Sequence, residues 1–167
     1  MKVIAIDPGY ERLGIAVIEK LPRNKETLIF SECFKTSPKI PFSDRLLEIG
    51  QEVENIIKKY KPEALAMETL FFNSNQKTAM NVAEARGAIT YLAMKHGLTF
   101  SQYTPLQIKI AVTGSGRADK KQVISMIERL IITNKEVAQD DEYDAIACGL
   151  TFFASKSYPH VSLSDII

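Results

Sequence analysis

Apolar positions along the chain first run in short unbroken stretches and then switch to a helical period. Lys2–Asp7 is an apolar run closed by Asp7-Pro8-Gly9, where proline presets φ and glycine accepts positive φ. It predicts a buried strand ending in a turn. Gly14–Glu19 and Thr27–Lys35 predict two more strands, with a turn at Leu21–Lys25. Three strands joined by turns form an antiparallel meander. After Pro41 the apolar residues Leu46, Leu47, Ile49, Val53, Ile56 and Ile57 recur at helical spacing, with Ser43 as the expected N-cap and Pro62 as the break. Ala64–Met67 is a short strand that ends in Glu68. Lys77–Lys95 predicts a long helix stopped by Gly97, and Leu98–Tyr103 a further strand. Pro105–Val112, Lys120–Ile132 and Asp141–Ser155 predict three helices. This order predicts an α/β fold: a five-stranded mixed sheet, made of an antiparallel three-stranded meander plus parallel strands, with helices on both faces.

The 167 residues suit one compact domain, read as residues 1–158 with a loose tail from Pro159 to Ile167. No apolar run reaches the roughly 20 residues of a membrane span, and the N-terminus lacks the pattern of a secretory signal. A cytoplasmic protein with no membrane partner is expected. Cys33 and Cys148 form no motif and read as small buried hydrophobes in a reducing compartment. His96 and His160 do not pair, which argues against a zinc site. Net charge is only +1, but its distribution is uneven. Lys109, Arg117, Lys120, Lys121 and Arg129 precede an acidic cluster of Glu136, Asp140, Asp141, Glu142 and Asp144. That arrangement suits cations held beside phosphates, and equally two solvated helix surfaces.

Four carboxylates stand out, each with an ordinary reading as well. Asp7 closes the first strand and could simply form its turn. Glu68 interrupts Ala64-Leu65-Ala66-Met67 and Leu70-Phe71-Phe72, where a carboxylate is costly unless compensated or at a surface strand end. Asp141 and Asp144 share one face at the start of the last helix, where acids also serve as caps. The combination points further. Four acids drawn from two strand ends and one helix face would repel one another unless cations sit among them. Hard cations such as Mg²⁺ take carboxylate oxygens, and two of them about 4 Å apart suit phosphodiester displacement.

Five segments in order carry a resemblance: Ile6-Asp7-Pro8-Gly9 with Gly14, Glu68-Thr69-Leu70-Phe71-Phe72, Ala85-Arg86-Gly87, Gly114 to Val123, and Asp141 to Ala147. Together they resemble the RuvC family of Holliday-junction resolvases over roughly residues 1–155, and the element order matches the ribonuclease H-like architecture of that family. The resemblance implies a crossover junction endodeoxyribonuclease acting in DNA recombination and repair. It implies a tetrad of Asp7, Glu68, Asp141 and Asp144 holding two Mg²⁺ ions, with Mn²⁺ as a substitute. It assigns Phe71 to stacking on an unpaired base, and Lys109 and Lys120 to the scissile region. Lys120 would stabilise charge in the transition state. Phe72 is left to the core.

The Thr113-Gly114-Ser115-Gly116 turn lacks the ending of a P-loop and reads as exposed amides before a helix N-terminus, a phosphate site. Gly114, Gly116, Arg117 and Lys121 join the DNA contacts on that reading. The helix Lys77–Lys95 is apolar around more than one stripe, which suits deep burial or a partner. The resemblance makes it the interface of a homodimer whose two-fold symmetry matches a four-way junction. A branch-migration helicase complex is a further expected partner. Other readings are a ribonuclease H-like enzyme acting on an RNA–DNA hybrid or a transposon end, an ATP-using phosphotransferase needing a second domain, and a non-catalytic junction-binding module.

Overall fold

The computed structural model describes residues 1–69 and 76–157. These form β1 (Lys2–Asp7), β2 (Arg12–Glu19), β3 (Thr27–Lys35), α1 (Phe42–Tyr60), β4 (Ala64–Glu68), α2 (Gln76–Lys95), β5 (Thr99–Tyr103), α3 (Pro105–Thr113), α4 (Lys120–Leu130) and α5 (Asp140–Ser157). The strands lie in the order β3-β2-β1-β4-β5. The first three are antiparallel, and β4 and β5 run parallel to β1. This is the mixed sheet that the hydrophobic pattern predicts.

Strand alternation divides the core in two. Ile4, Ile6, Ile15, Val17, Leu65 and Met67 pack against Ile49, Val53 and Ile56 of α1 and Ala85, Ile89 and Ala93 of α2. Val3, Ala5, Ala16, Ile18, Ala64 and Ala66 face the opposite way, into a cluster with α3, α4 and α5. Asp7 and Glu68 continue the second row, because side chains alternate with period two. The β1–β4 register pairs Ile6 with Met67, so the two acids end adjacent parallel strands on the α5 face.

Small residues let α5 come close. A Cβ at Gly14 would stand 2.0 Å from the Asp141 carbonyl oxygen and 3.1 Å from Asp7 Cβ. At Gly149 it would meet Ile18 Cδ1 at 2.7 Å and Ala5 Cβ at 3.1 Å. The first turn of α5 is therefore pressed onto the end of β1.

Several boundaries differ from expectation. Helix α1 starts at Phe42, behind Pro41 with no side-chain cap, so Ser43 is a first-turn residue and not the N-cap. Proline's fixed φ sets that start without a capping hydroxyl. Strand β2 begins at Arg12, two residues before the expected Gly14, with Arg12 paired to Lys35. The expected roles of Phe71 and Phe72, and the tail from Pro159, lie outside the described residues. Among the described residues no helix is long and apolar enough to cross a membrane.

Replacing Gly14 with alanine should destabilise the protein by about 1–3 kcal/mol, since backbone must move to admit the methyl group. The Gly149→Ala change should cost less, because the nearest atom there ends a flexible Ile18 side chain. Urea unfolding of the two variants checks the ranking.

Candidate active site

Four acidic side chains gather at the C-terminal edge of β1 and β4 under the start of α5. Their charges act on one another. Burial pushes the Asp7 carboxyl up to about 7, and Asp144, Glu68 and Asp141 add to the shift in that order, with Lys120 opposing it. Glu68 is pushed up to about 6 by burial and by Asp144. Asp144 is also raised, mainly by burial. Mutual repulsion of this kind marks carboxylates that share one site.

Three cations from three different elements hold the acidic first turn of α5. Lys120 Nζ at the head of α4 donates to Asp144 Oδ2 at 3.1 Å and lies 3.3 Å from Asp140 Oδ2. Burial would lower the Lys120 ammonium, but these two acids hold it above its ordinary value. Arg12 at the head of β2 grips Asp141 with its guanidinium fork, Nε donating to Oδ2 at 3.0 Å, and reaches Gln139 Oε1 at 3.3 Å. Burial alone would raise Asp141, yet Arg12, the local backbone and Cys33 hold it below its usual value. Glu142 points the other way and is buried, accepting from Ser31 Oγ at 2.6 Å and Lys135 Nζ at 2.7 Å. Among the described residues no three acidic, histidine or cysteine side chains already stand as a metal cage. Arg12 and Lys120 engage Asp141 and Asp144 in that arrangement.

The expected residues separate into two groups. Glu68, Lys109, Lys120 and Asp144 line a single cleft of about 320 Å³ between α3, α4 and α5. Lys121, one position on and about 100° around the helix, lines a different hollow with Thr113, Ser115 and Asp119. Gly114 ends α3 in the left-handed conformation. Gly116 packs against Leu106, and Arg117 is exposed. The α4 N-terminus differs from the open phosphate site expected of it. Asp119 caps it in a reciprocal box with Gln122, so a carboxylate already sits there. Lys120 is likewise matched by Asp144 and Asp140, which accounts for a lysine at a helix start without any phosphate.

Arg12, Glu142 and Lys135 carry no assignment from the sequence. The signal for Arg12 was strand alternation: Gly14, Ala16 and Ile18 face α5, so Arg12 does too once β2 is extended to include it. The cysteines differ from one another. Cys148 is buried, but Cys33 is only half-buried and its thiol lies 3.5 Å from Asp141 Oδ2. On the far side of the sheet, α2 buries Ala85, Ile89 and Ala93 while exposing Met80, Tyr91 and Met94. Ala88, Tyr91 and Leu92 line a groove with Leu46 and Leu47 of α1.

A family model described as crossover junction endodeoxyribonuclease RuvC matches residues 3–152. The chain belongs to the RuvC family. A RuvC of Alkaliphilus metalliredigens is 43% identical over 147 residues, covering 88% of this chain and 89% of that protein. A RuvC of Fusobacterium nucleatum is 37% identical over 155 residues, covering 93% and 81%. The structure of Thermus thermophilus RuvC in complex with Holliday junction substrate superposes with a TM-score of 0.86 at 33% identity, over 94% of this chain and 96% of that one. The fold is thus the ribonuclease H-like α/β fold of RuvC.

Asp7 binds its proton more tightly when folded (about 7) than at its ordinary value of 3.8. A group raised in this way stabilises the fold less as pH climbs through that window, because the unfolded chain gives up the proton first. The stability of the metal-free RuvC chain should fall between about pH 4 and pH 7. The Asp7→Asn change should flatten that slope and raise stability at pH 7 by on the order of 3 kcal/mol. Urea unfolding in EDTA across this pH range measures both effects.

Proposed function

We propose that this chain is a crossover junction endodeoxyribonuclease that resolves four-way DNA junctions by metal-assisted hydrolysis of one phosphodiester per subunit. The observation that carries this reading is the gathering of Asp7, Glu68 and Asp144 under mutual repulsion at one sheet edge, with Asp141 on the same helix turn. Hard oxygen donors raised by one another are what a divalent cation relieves, so the residues fit Mg²⁺ or Mn²⁺. Asp7 and Asp144 are the direct ligands in this reading, and Glu68 and Asp141 complete the donors for two ions. Bound there, such ions supply charge neutralisation and an activated water.

The chain's own residues do the rest. Lys120, in the cleft with Glu68 and Asp144, offsets negative charge that builds on the phosphate during cleavage. Lys109 lines the same cleft and positions the scissile strand. Gly114, Gly116, Arg117 and Lys121, outside the cleft on the turn and first residues leading into α4, track the DNA backbone in this reading, a role that needs charge but no base contact. Phe71 stacks on a base unpaired at the branch point. The exposed Met80, Tyr91 and Met94 of α2 suit a second copy of the chain, because a C₂ dimer presents two identical clefts to symmetric strands. Paired nicks follow from that symmetry, and water attack on phosphorus with departure of the 3′ oxygen would leave 5′-phosphate and 3′-hydroxyl ends. A branch-migration helicase is the further partner.

With a labelled mobile junction, the parent protein should give paired symmetric nicks only when Mg²⁺ is present. Linear duplex and RNA–DNA hybrid should be cut far less well. Asp7→Asn and Asp144→Asn should cut at least roughly a hundredfold more slowly. Lys120→Ala should lose a similar factor in single-turnover rate while keeping most of its junction affinity. Absence of metal-dependent nicking by the parent would remove the proposal.

A further inference from the structure

The cluster contains a cation that no part of the cleavage reading uses. Arg12 stands at the first position of β2, and its guanidinium donates to Asp141 through Nε at 3.0 Å and also through Nη2. Its second partner, Gln139 Oε1 at 3.3 Å, sits two residues before Asp141 on the approach to α5. The Arg12 side chain is 47% exposed while the Asp141 side chain is 19% exposed. The carboxylate is therefore the enclosed partner and the guanidinium the one open to solvent. Both donors fall on Oδ2, so the guanidinium engages one of the two oxygens that a cation could take.

We infer that Arg12 is an internal counter-cation for Asp141 that a divalent ion must displace, so that it sets the affinity with which the cluster loads metal. The inference rests on the reading of Asp141 as a metal ligand. Physically, the guanidinium and the ion compete for the same Asp141 oxygen, and the protein with the pair intact is the competing ground state. Lys120 holds Asp144 in a similar way, but it stands inside the cleft with work to do on DNA. Arg12 lines no part of that cleft, so its removal separates metal loading from cleavage chemistry.

The sign of the effect makes the test sharp. Damage to a metal site weakens binding, whereas removal of a competitor strengthens it. Binding of Mn²⁺ alone, without DNA, is followed through the paramagnetic resonance signal of the free ion. Arg12→Met should bind Mn²⁺ about three- to tenfold more tightly than the parent, the span that an exposed ion pair allows. Lys35→Met supplies the control. Lys35 is exposed, pairs across the strands with Arg12 and carries the same charge, so it changes the field without touching the Asp141 bond. Its affinity should stay within about twofold of the parent.

Equal or weaker Mn²⁺ binding by Arg12→Met would overturn the inference. A gain of the same size in Lys35→Met would also overturn it, by reducing the effect to net charge. Arg12→Lys keeps the charge but loses the fork, and should fall between parent and Arg12→Met. If the parent itself bound no Mn²⁺ and nicked no junction, the metal-site reading beneath the inference would fail instead. Melting of each variant in EDTA confirms that the fold is kept.

Discussion

Carboxylates gathered at the edge of an apolar sheet repel one another and resist desolvation, and that unfavourable contact organises the rest of the molecule. Asp7 and Glu68 lie side by side because two parallel strands end in register, each carrying small alanines on the face that meets α5. The strands cannot avoid the juxtaposition, since the alternation that buries Ala5 and Ala66 also aims the next odd-numbered or even-numbered partner at the same helix. Stability has been given up locally for a site with a standing demand for positive charge.

Helix α5 deepens that demand through its seating as much as its sequence. The absence of a side chain at Gly14 and Gly149 lets the helix lie against β1 and β2, which carries Asp141 and Asp144 to the strand ends. Its first turn is held by Lys120 from α4, Arg12 from β2 and Lys135 from the preceding loop. These bonds are not equivalent. The Lys135–Glu142 pair is closed over a carboxylate that is only 5% exposed, and Ser31 satisfies it further, so it acts as a fixed anchor. All three cations are half-exposed, but Asp141 and Asp144 are more open than Glu142, at 19% and 38%, so water or another ion can replace those two bonds at lower cost.

The mixed sheet with helices on both faces was legible in the sequence because strands buried on two faces read as unbroken apolar runs, while the helices keep a period of 3.6. The four acids were legible for a related reason: each breaks an apolar run or opens a helix, where its cost demands an account. What escaped notice was polar and local. Starting β2 at Gly14 cut off Arg12, and with it the partner of Asp141. Glu142 looked like one more acid in a solvated cluster, and only the fold turns it inward onto Ser31 and Lys135. The cap on α4 was hidden too, since Asp119 stands among Arg117, Lys120 and Lys121 in a segment that reads as basic. Charged side chains choose partners in three dimensions, and neither spacing nor composition records the choice.

The two faces of the sheet also divide the labour. Helices α1 and α2 cover the face of Ile4, Ile6 and Leu65, and the exposed Met80, Tyr91, Met94 and Leu47 belong to that layer. The acids and the cleft with Lys109 and Lys120 belong to the other layer, under α3, α4 and α5. A second copy docked through α2 would therefore bury apolar surface without approaching the carboxylates. Association of that kind is driven by area removed from water and is indifferent to ions, whereas in the proposed reading the acidic edge must admit water, metal and phosphate. Opposite faces of one sheet would leave both clefts open in a dimer built through α2.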